Sequence, residues 1–136
     1  MANMVGLDTN VLVRYFAQDD TKQSALANRT IASLNKDEPG FISLIVLCEL
    51  VWVLEDAYAM KKAGIIEILR TLLESDELII EAKPIAWSAF NGFRDAALDY
   101  SDALIANVAK QSGCRHTLTF DQSAAKMAGF MLLKTR

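Results

Sequence analysis

The sequence predicts an α/β fold, with a central, mostly parallel sheet of about five strands and helices on both faces, in a single domain over residues 1–136. Three observations predict it. Short apolar runs of strand length alternate with longer segments of helical periodicity, the pattern of parallel strands joined by helical crossovers. Two of the apolar runs stop abruptly at an acid, Asp8 and Asp121, just past the ends of expected strands. The chain has 136 residues, 52% of them hydrophobic, with no repeat, linker or low-complexity stretch, which suits one sizeable core.

Each element follows in order. Met4 to Leu7 reads as a short buried strand ended by Asp8. Asp8-Thr9-Asn10 supplies helix caps, and Val11 to Phe16 starts a helix. Asp20 and Gln23 form a capping box for a helix reaching about Asn35. Pro39-Gly40 breaks the chain, Phe41-Ile42 is a minimal strand, and Ser43 caps a helix running to about Ala59. That helix is apolar nearly all round, so it is expected at the centre or at an interface, with Trp52, Val53 and Tyr58 in the core or at a homodimer seam. Ile65, Ile68, Leu69 and Leu72 recur at helical spacing, and Leu78 to Ile80 is a strand. Pro84 suits a first helical turn, with Ala86, Ala89, Phe90, Phe93 and Ala97 on one face. A helix begins near Ser101-Asp102 and ends at Gly113, a C-cap. His116 to Phe120 is a strand, Gln122 to Ala128 a short helix, and Phe130 to Leu133 the last strand.

Four acids interrupt or end apolar runs: Asp8, Glu49, Asp102 and Asp121. A buried carboxylate without a partner costs several kcal/mol by order of magnitude, so each is expected to gain a cation or a proton. No Lys, Arg or His lies within a few residues of Glu49. Four such groups without matching cations point to a divalent metal held by oxygen ligands. Asp8 and Asp121 fall just past strand ends, the edge where open α/β sheets place their sites, so all four are expected to converge on one crevice. Each also has a structural reading. Asp8 and Asp102 read as helix N-caps, Asp121 as a turn residue, and Glu49 as the partner of a distant Arg. Asp99, three residues before Asp102, either shares or assists the site or is a solvated or capping residue.

Composition narrows the classes further. The net charge is −3 and the pI about 5.1, which argues against coating nucleic acid through overall positive charge. Cys48 and Cys114 are far apart and outside any Cys-x-x-Cys pair, so reduced thiols in a cytoplasmic protein are expected. No apolar stretch has the roughly 18 residues of a membrane span, and Asp8 comes too early for a signal peptide. The single histidine, His116, offers no Ser-His or Cys-His arrangement. Arg14 could contact a phosphate, although a surface arginine is the default. Lys61-Lys62, and Lys22 with Arg29, read as solvated faces.

Asp8-Thr9-Asn10 after the first strand, Glu49-Leu50 in an apolar helix, Asp102 to Ala106, and Thr119-Phe120-Asp121 together resemble the PIN-domain ribonucleases, and within them the VapC-type toxins of toxin–antitoxin pairs. The resemblance runs through essentially the whole chain, in order. It implies the PIN-like three-layer arrangement and a Mg²⁺- or Mn²⁺-dependent endoribonuclease. Asp8, Glu49, Asp102 and Asp121 would be the catalytic and metal-binding acids. Thr9, Asn10 and Thr119 would orient the carboxylates or a water, with Asp99 as a further candidate for that role. It also implies RNA as substrate, a cognate antitoxin and a homodimer. The helical faces around Ile31 and Ile65 are either core or a groove for an antitoxin segment.

Two other classes compete. A receiver-like phosphoryl-transfer domain is also α/β and acidic at its strand ends, with Lys134 after the last strand, but it begins with an adjacent acidic pair that Asp8-Thr9-Asn10 lacks. A haloacid-dehalogenase-like phosphatase needs an acid where Asn10 stands. A non-catalytic PIN-like interaction module would have no need of all four acids.

Overall fold

The computed structural model describes residues 3–96 and 98–134. The chain divides between Lys83 and Pro84 into two compact units.

The first unit contains β1 (Val5–Gly6), α1 (Thr9–Ala17), α2 (Thr21–Ser33), β2 (Gly40–Ile42), α3 (Leu44–Asp56), α4 (Lys62–Glu74) and β3 (Leu78–Ile80). Its strands form one parallel sheet in the order β1-β2-β3, with Val5 opposite Gly40 and Gly40 opposite Leu78. Gly40 sits in the middle strand because side chains fill the space around it. A Cβ there would lie 2.9 Å from a Leu34 methyl, 3.0 Å from Leu7 and 3.1 Å from Leu78. Leu12, Leu47, Leu50, Leu54 and Leu69 are fully buried and mark the core.

Two expectations are corrected here. Val5 and Gly6 are exposed rather than buried, since β1 is paired on one side only and burial begins at Leu7. Trp52 is 64% exposed. The buried stripe of α3 is Leu47, Leu50, Val51 and Leu54, a spacing that serves one face of the helix. Ile45, Glu49 and Trp52 lie together off that stripe, exposed. The Tyr58 ring is half-buried, and its hydroxyl donates to Asp19 Oδ2 at 2.7 Å.

Capping chemistry explains several boundaries. Ser43 Oγ accepts the Val46 N–H at 3.1 Å, and Asp20 Oδ1 accepts the Gln23 N–H at 2.9 Å. Only half of the expected capping box forms, because the Gln23 side chain accepts from Arg14 Nε at 2.7 Å. Ala59 adopts φ 50 just beyond α3, which stops at Asp56.

The second unit holds α5 (Lys83–Asp95), α6 (Tyr100–Gln111), β4 (Thr117–Thr119), α7 (Gln122–Ala125) and β5 (Phe130–Leu132). β4 and β5 form a parallel pair with Leu118 opposite Met131. α5 buries Ala86, Ala89, Phe90 and Phe93 as expected; Ala97 lies outside the described residues. Tyr100 is fully buried, and its hydroxyl donates to the Ala86 carbonyl at 3.3 Å. Gly113 has φ 98, and the Cys114 N–H reaches the Ala109 carbonyl at 3.0 Å while the Gly113 N–H reaches Lys110 at 3.0 Å. This left-handed ending satisfies the last carbonyls of α6, as the glycine predicted.

The fold is α/β, with five short strands in parallel ladders of three and two among the described residues. No helix in those residues is long and apolar enough to cross a membrane.

Candidate functional site

In the first unit the chemistry gathers around Thr9. Asp8 leaves β1 in an extended conformation and takes the N-cap position of α1. Its Oδ1 accepts the Thr9 N–H at 2.8 Å. The Thr9 hydroxyl in turn donates to Glu49 Oε1 at 2.8 Å, across 40 residues of sequence. One nearly buried threonine therefore touches two of the four acids, by its backbone and by its side chain. Each acid gives only one oxygen to Thr9, leaving the other in each carboxylate to accept elsewhere.

α3 carries Glu49, and its start is held from outside the helix. Glu81, the residue after β3, accepts the Leu44 N–H on Oε1 at 2.8 Å. Sequence reading missed Glu81, because the contact spans 37 residues and has no local pattern. Asn10 makes no hydrogen bond to Asp8 or Glu49 among the described residues. It lines a cavity of about 270 Å³ between α1 and α2 with Arg14, Gln23 and Leu26. Arg14 is committed to its neighbours: it pairs with Asp19 Oδ1 at 3.2 Å and donates to the Tyr58 hydroxyl at 3.1 Å. The Tyr58 contact and the nearby acids hold its guanidinium above its ordinary pKa.

In the second unit three acids interact. Asp99 occupies the N-cap position of α6 without a capping bond from its side chain. Asp102 lies in the first turn of the same helix. The N-cap reading of Asp102 is thereby corrected, since the helix starts two residues before it. Burial pushes the Asp102 carboxyl above its ordinary value of 3.8, and the charges of Asp99 and Asp121 push it further in the same direction. Asp121 caps α7, its Oδ1 accepting the N–H groups of Ser123 at 2.8 Å and Ala124 at 3.2 Å. Thr119 Oγ1 accepts the Asp121 N–H at 3.0 Å and so fixes the backbone that presents this acid. The turn reading of Asp121 is thus realised in part, through one carboxylate oxygen.

The expected burial of the acids is corrected: Asp8, Glu49 and Asp121 are exposed, and Asp102 is half-buried. They sit at strand exits and on the open side of a helix, where the apolar run beside them turns away. The distant-arginine reading of Glu49 finds no support. Among the described residues none of Asp8, Glu49, Asp99, Asp102 and Asp121 joins an ion pair. Nor is any group of three or more His, Cys, Asp or Glu gathered closely enough there to hold a metal ion. The donor chemistry still fits a hard divalent cation, since every candidate ligand is a carboxylate oxygen.

The sequence pattern of the PIN domain family matches residues 5–130, from β1 through the first residue of β5. The chain is also 26% identical, over 121 residues, to the VapC ribonuclease of Aquifex aeolicus (strain VF5), covering 89% of this chain and 90% of that one. All four acids fall inside the matched span, and the chain belongs to the PIN domain family.

Proposed function

We propose that this protein is a divalent-metal-dependent endoribonuclease and the toxin of a toxin–antitoxin pair. The observation that carries the reading is a set of acids with no cation of their own among the described residues, in a PIN-domain chain similar along most of its length to a VapC ribonuclease. The residues that would hold Mg²⁺ or Mn²⁺ are Asp8, Glu49, Asp102 and Asp121. Such an ion supplies a water of lowered pKa and offsets negative charge developing on the phosphodiester.

The chain's own groups do the rest. Thr9 limits the rotamers of Glu49 through the hydroxyl contact and steadies Asp8 through its amide. Thr119 does the same for the Asp121 backbone. Burial and like charge raise the Asp102 carboxyl in the metal-free protein, so a cation held there would relieve that repulsion and favour the carboxylate, whose free oxygen would then be placed to take a proton from the attacking water. Asp99 contributes to that tuning through its charge.

RNA is the substrate in this reading, and a cognate antitoxin is the controlling partner. A second copy of the chain would cover the exposed Ile45 and Trp52 of α3. Free thiols at Cys48 and Cys114 accord with a cytoplasmic setting.

The test is cleavage of total cellular RNA by purified protein in Mg²⁺ or Mn²⁺ and in EDTA, alongside Asp8→Asn. Metal-dependent cleavage lost in the variant is expected. Folded protein that neither binds metal nor cuts RNA would sink the reading and leave a non-catalytic module.

A further inference from the structure

Phe120 separates Thr119 from Asp121 and is 74% exposed, more than any other large apolar side chain among the described residues. The chain bends at Phe120 as it leaves β4, immediately before Asp121 caps α7. A single exposed apolar side chain is ordinary on a protein surface; the position of this one sets it apart. Here the ring is held next to an acid of the proposed site, on backbone fixed by the Thr119 hydroxyl.

Charge points to the occupant. The protein carries net charge −3, and the acids nearest Phe120 in its unit repel a phosphate backbone. Arg94, in the same unit, is paired with Asp95, while Lys110, Arg115 and Lys126 of that unit join no ion pair among the described residues. Those cations are available to phosphates; next to the acids themselves a neutral contact avoids the repulsion, and stacking of a base on an aromatic ring supplies one. Leu118 and Met131 face each other across the β4–β5 register and are 54% and 48% exposed, extending an apolar strip away from the ring.

We propose that Phe120 is a stacking platform for an RNA base beside the phosphodiester that is cut, making it a substrate-binding residue of the site. The inference rests on the endoribonuclease reading. A contact of this kind tolerates any base, so it contributes affinity and placement rather than sequence choice.

The experiment uses a single-stranded RNA oligonucleotide containing a cut site mapped in total RNA, and the same oligonucleotide with one abasic position at a time. Phe120→Ala and Phe120→Leu are expected to raise KM about 5- to 100-fold with kcat little changed, while Phe120→Trp keeps wild-type values. One abasic position should weaken the wild type and have no further effect on Phe120→Ala. Equal KM for Phe120→Leu and wild type, in an enzyme that still cuts, overturns the stacking role alone. So does a Phe120→Ala protein with normal KM but an altered oligomeric state, which would assign the strip to a protein contact. A wild-type protein that neither cuts nor binds RNA overturns this inference together with the reading beneath it. Because the ring is exposed, the variants should melt with the wild type.

Discussion

The Thr9 hydroxyl donates to Glu49 Oε1 at 2.8 Å while the Thr9 amide donates to Asp8. Two acids 41 positions apart in the chain are thereby tied to one residue. An orienting bond of this sort fixes a carboxylate that would otherwise sample several rotamers on an exposed helix face.

Thr9→Val keeps the side-chain shape and the amide but removes the hydroxyl. Loss of an outer contact to a ligand typically costs about 10- to 100-fold in metal affinity or activity. Thr9→Val should fall in that range, and Thr9→Ser should recover most of it. Stability should drop by only about 1 kcal/mol. Cleavage assays and thermal melts on both variants check this. A Val variant with full activity would show that Glu49 needs no orientation.

Asp8→Asn and Asp121→Asn should abolish metal-dependent cleavage, by more than about 100-fold, which exceeds the usual effect of an outer contact. Both should fold. Asn caps helices about as well as Asp, so the bonds to Thr9, Ser123 and Ala124 have a ready substitute. Circular dichroism with activity separates the two effects; joint loss of fold and activity would make these acids structural.

Asp102 makes stability depend on pH in an unusual sense. Its folded pKa is raised above 3.8, so the folded state binds the proton more tightly than the unfolded chain. The penalty is in full force above the folded pKa and is relieved as pH falls from there toward the unfolded value. Metal-free Asp102→Asn should therefore melt above wild type at pH 7, with the gap closing in acid. A variant less stable than wild type at pH 7 would contradict it.

Metal should stabilise the wild type by neutralising that repulsion. At about 100 times its dissociation constant a ligand adds about 2.7 kcal/mol. Mg²⁺ or Mn²⁺ should raise Tm reversibly, EDTA should undo it, and Asp121→Asn should blunt it. Differential scanning calorimetry across a metal titration gives the answer.

Leu50 and Trp52 should respond in opposite ways. Leu50 is fully buried, so Leu50→Ala should cost about 2–5 kcal/mol. Trp52 is 64% exposed, so Trp52→Ala should leave monomer stability nearly unchanged and shift a dimer toward monomer in sedimentation. A Trp52→Ala protein with unaltered mass distribution would remove α3 as the seam.

Much of this protein was determined by its sequence. Alternating strand-like and helical segments specify an α/β fold because each period buries one kind of face. Local capping chemistry placed Ser43, Asp20 and Gly113 at helix ends, since caps act within a turn of the backbone they satisfy. The series Asp8, Glu49, Asp102 and Asp121 was also legible, as charge set against apolar runs. Tertiary structure decided what depends on distant partners. It joined Thr9 to Glu49 and Glu81 to the start of α3, and it set the charges of Asp99 and Asp121 to act on Asp102. It also turned Trp52 outward on a helix whose composition suggested burial all round. Hydrophobicity along a chain says that a residue can be buried; only the packing of other elements says which face is covered.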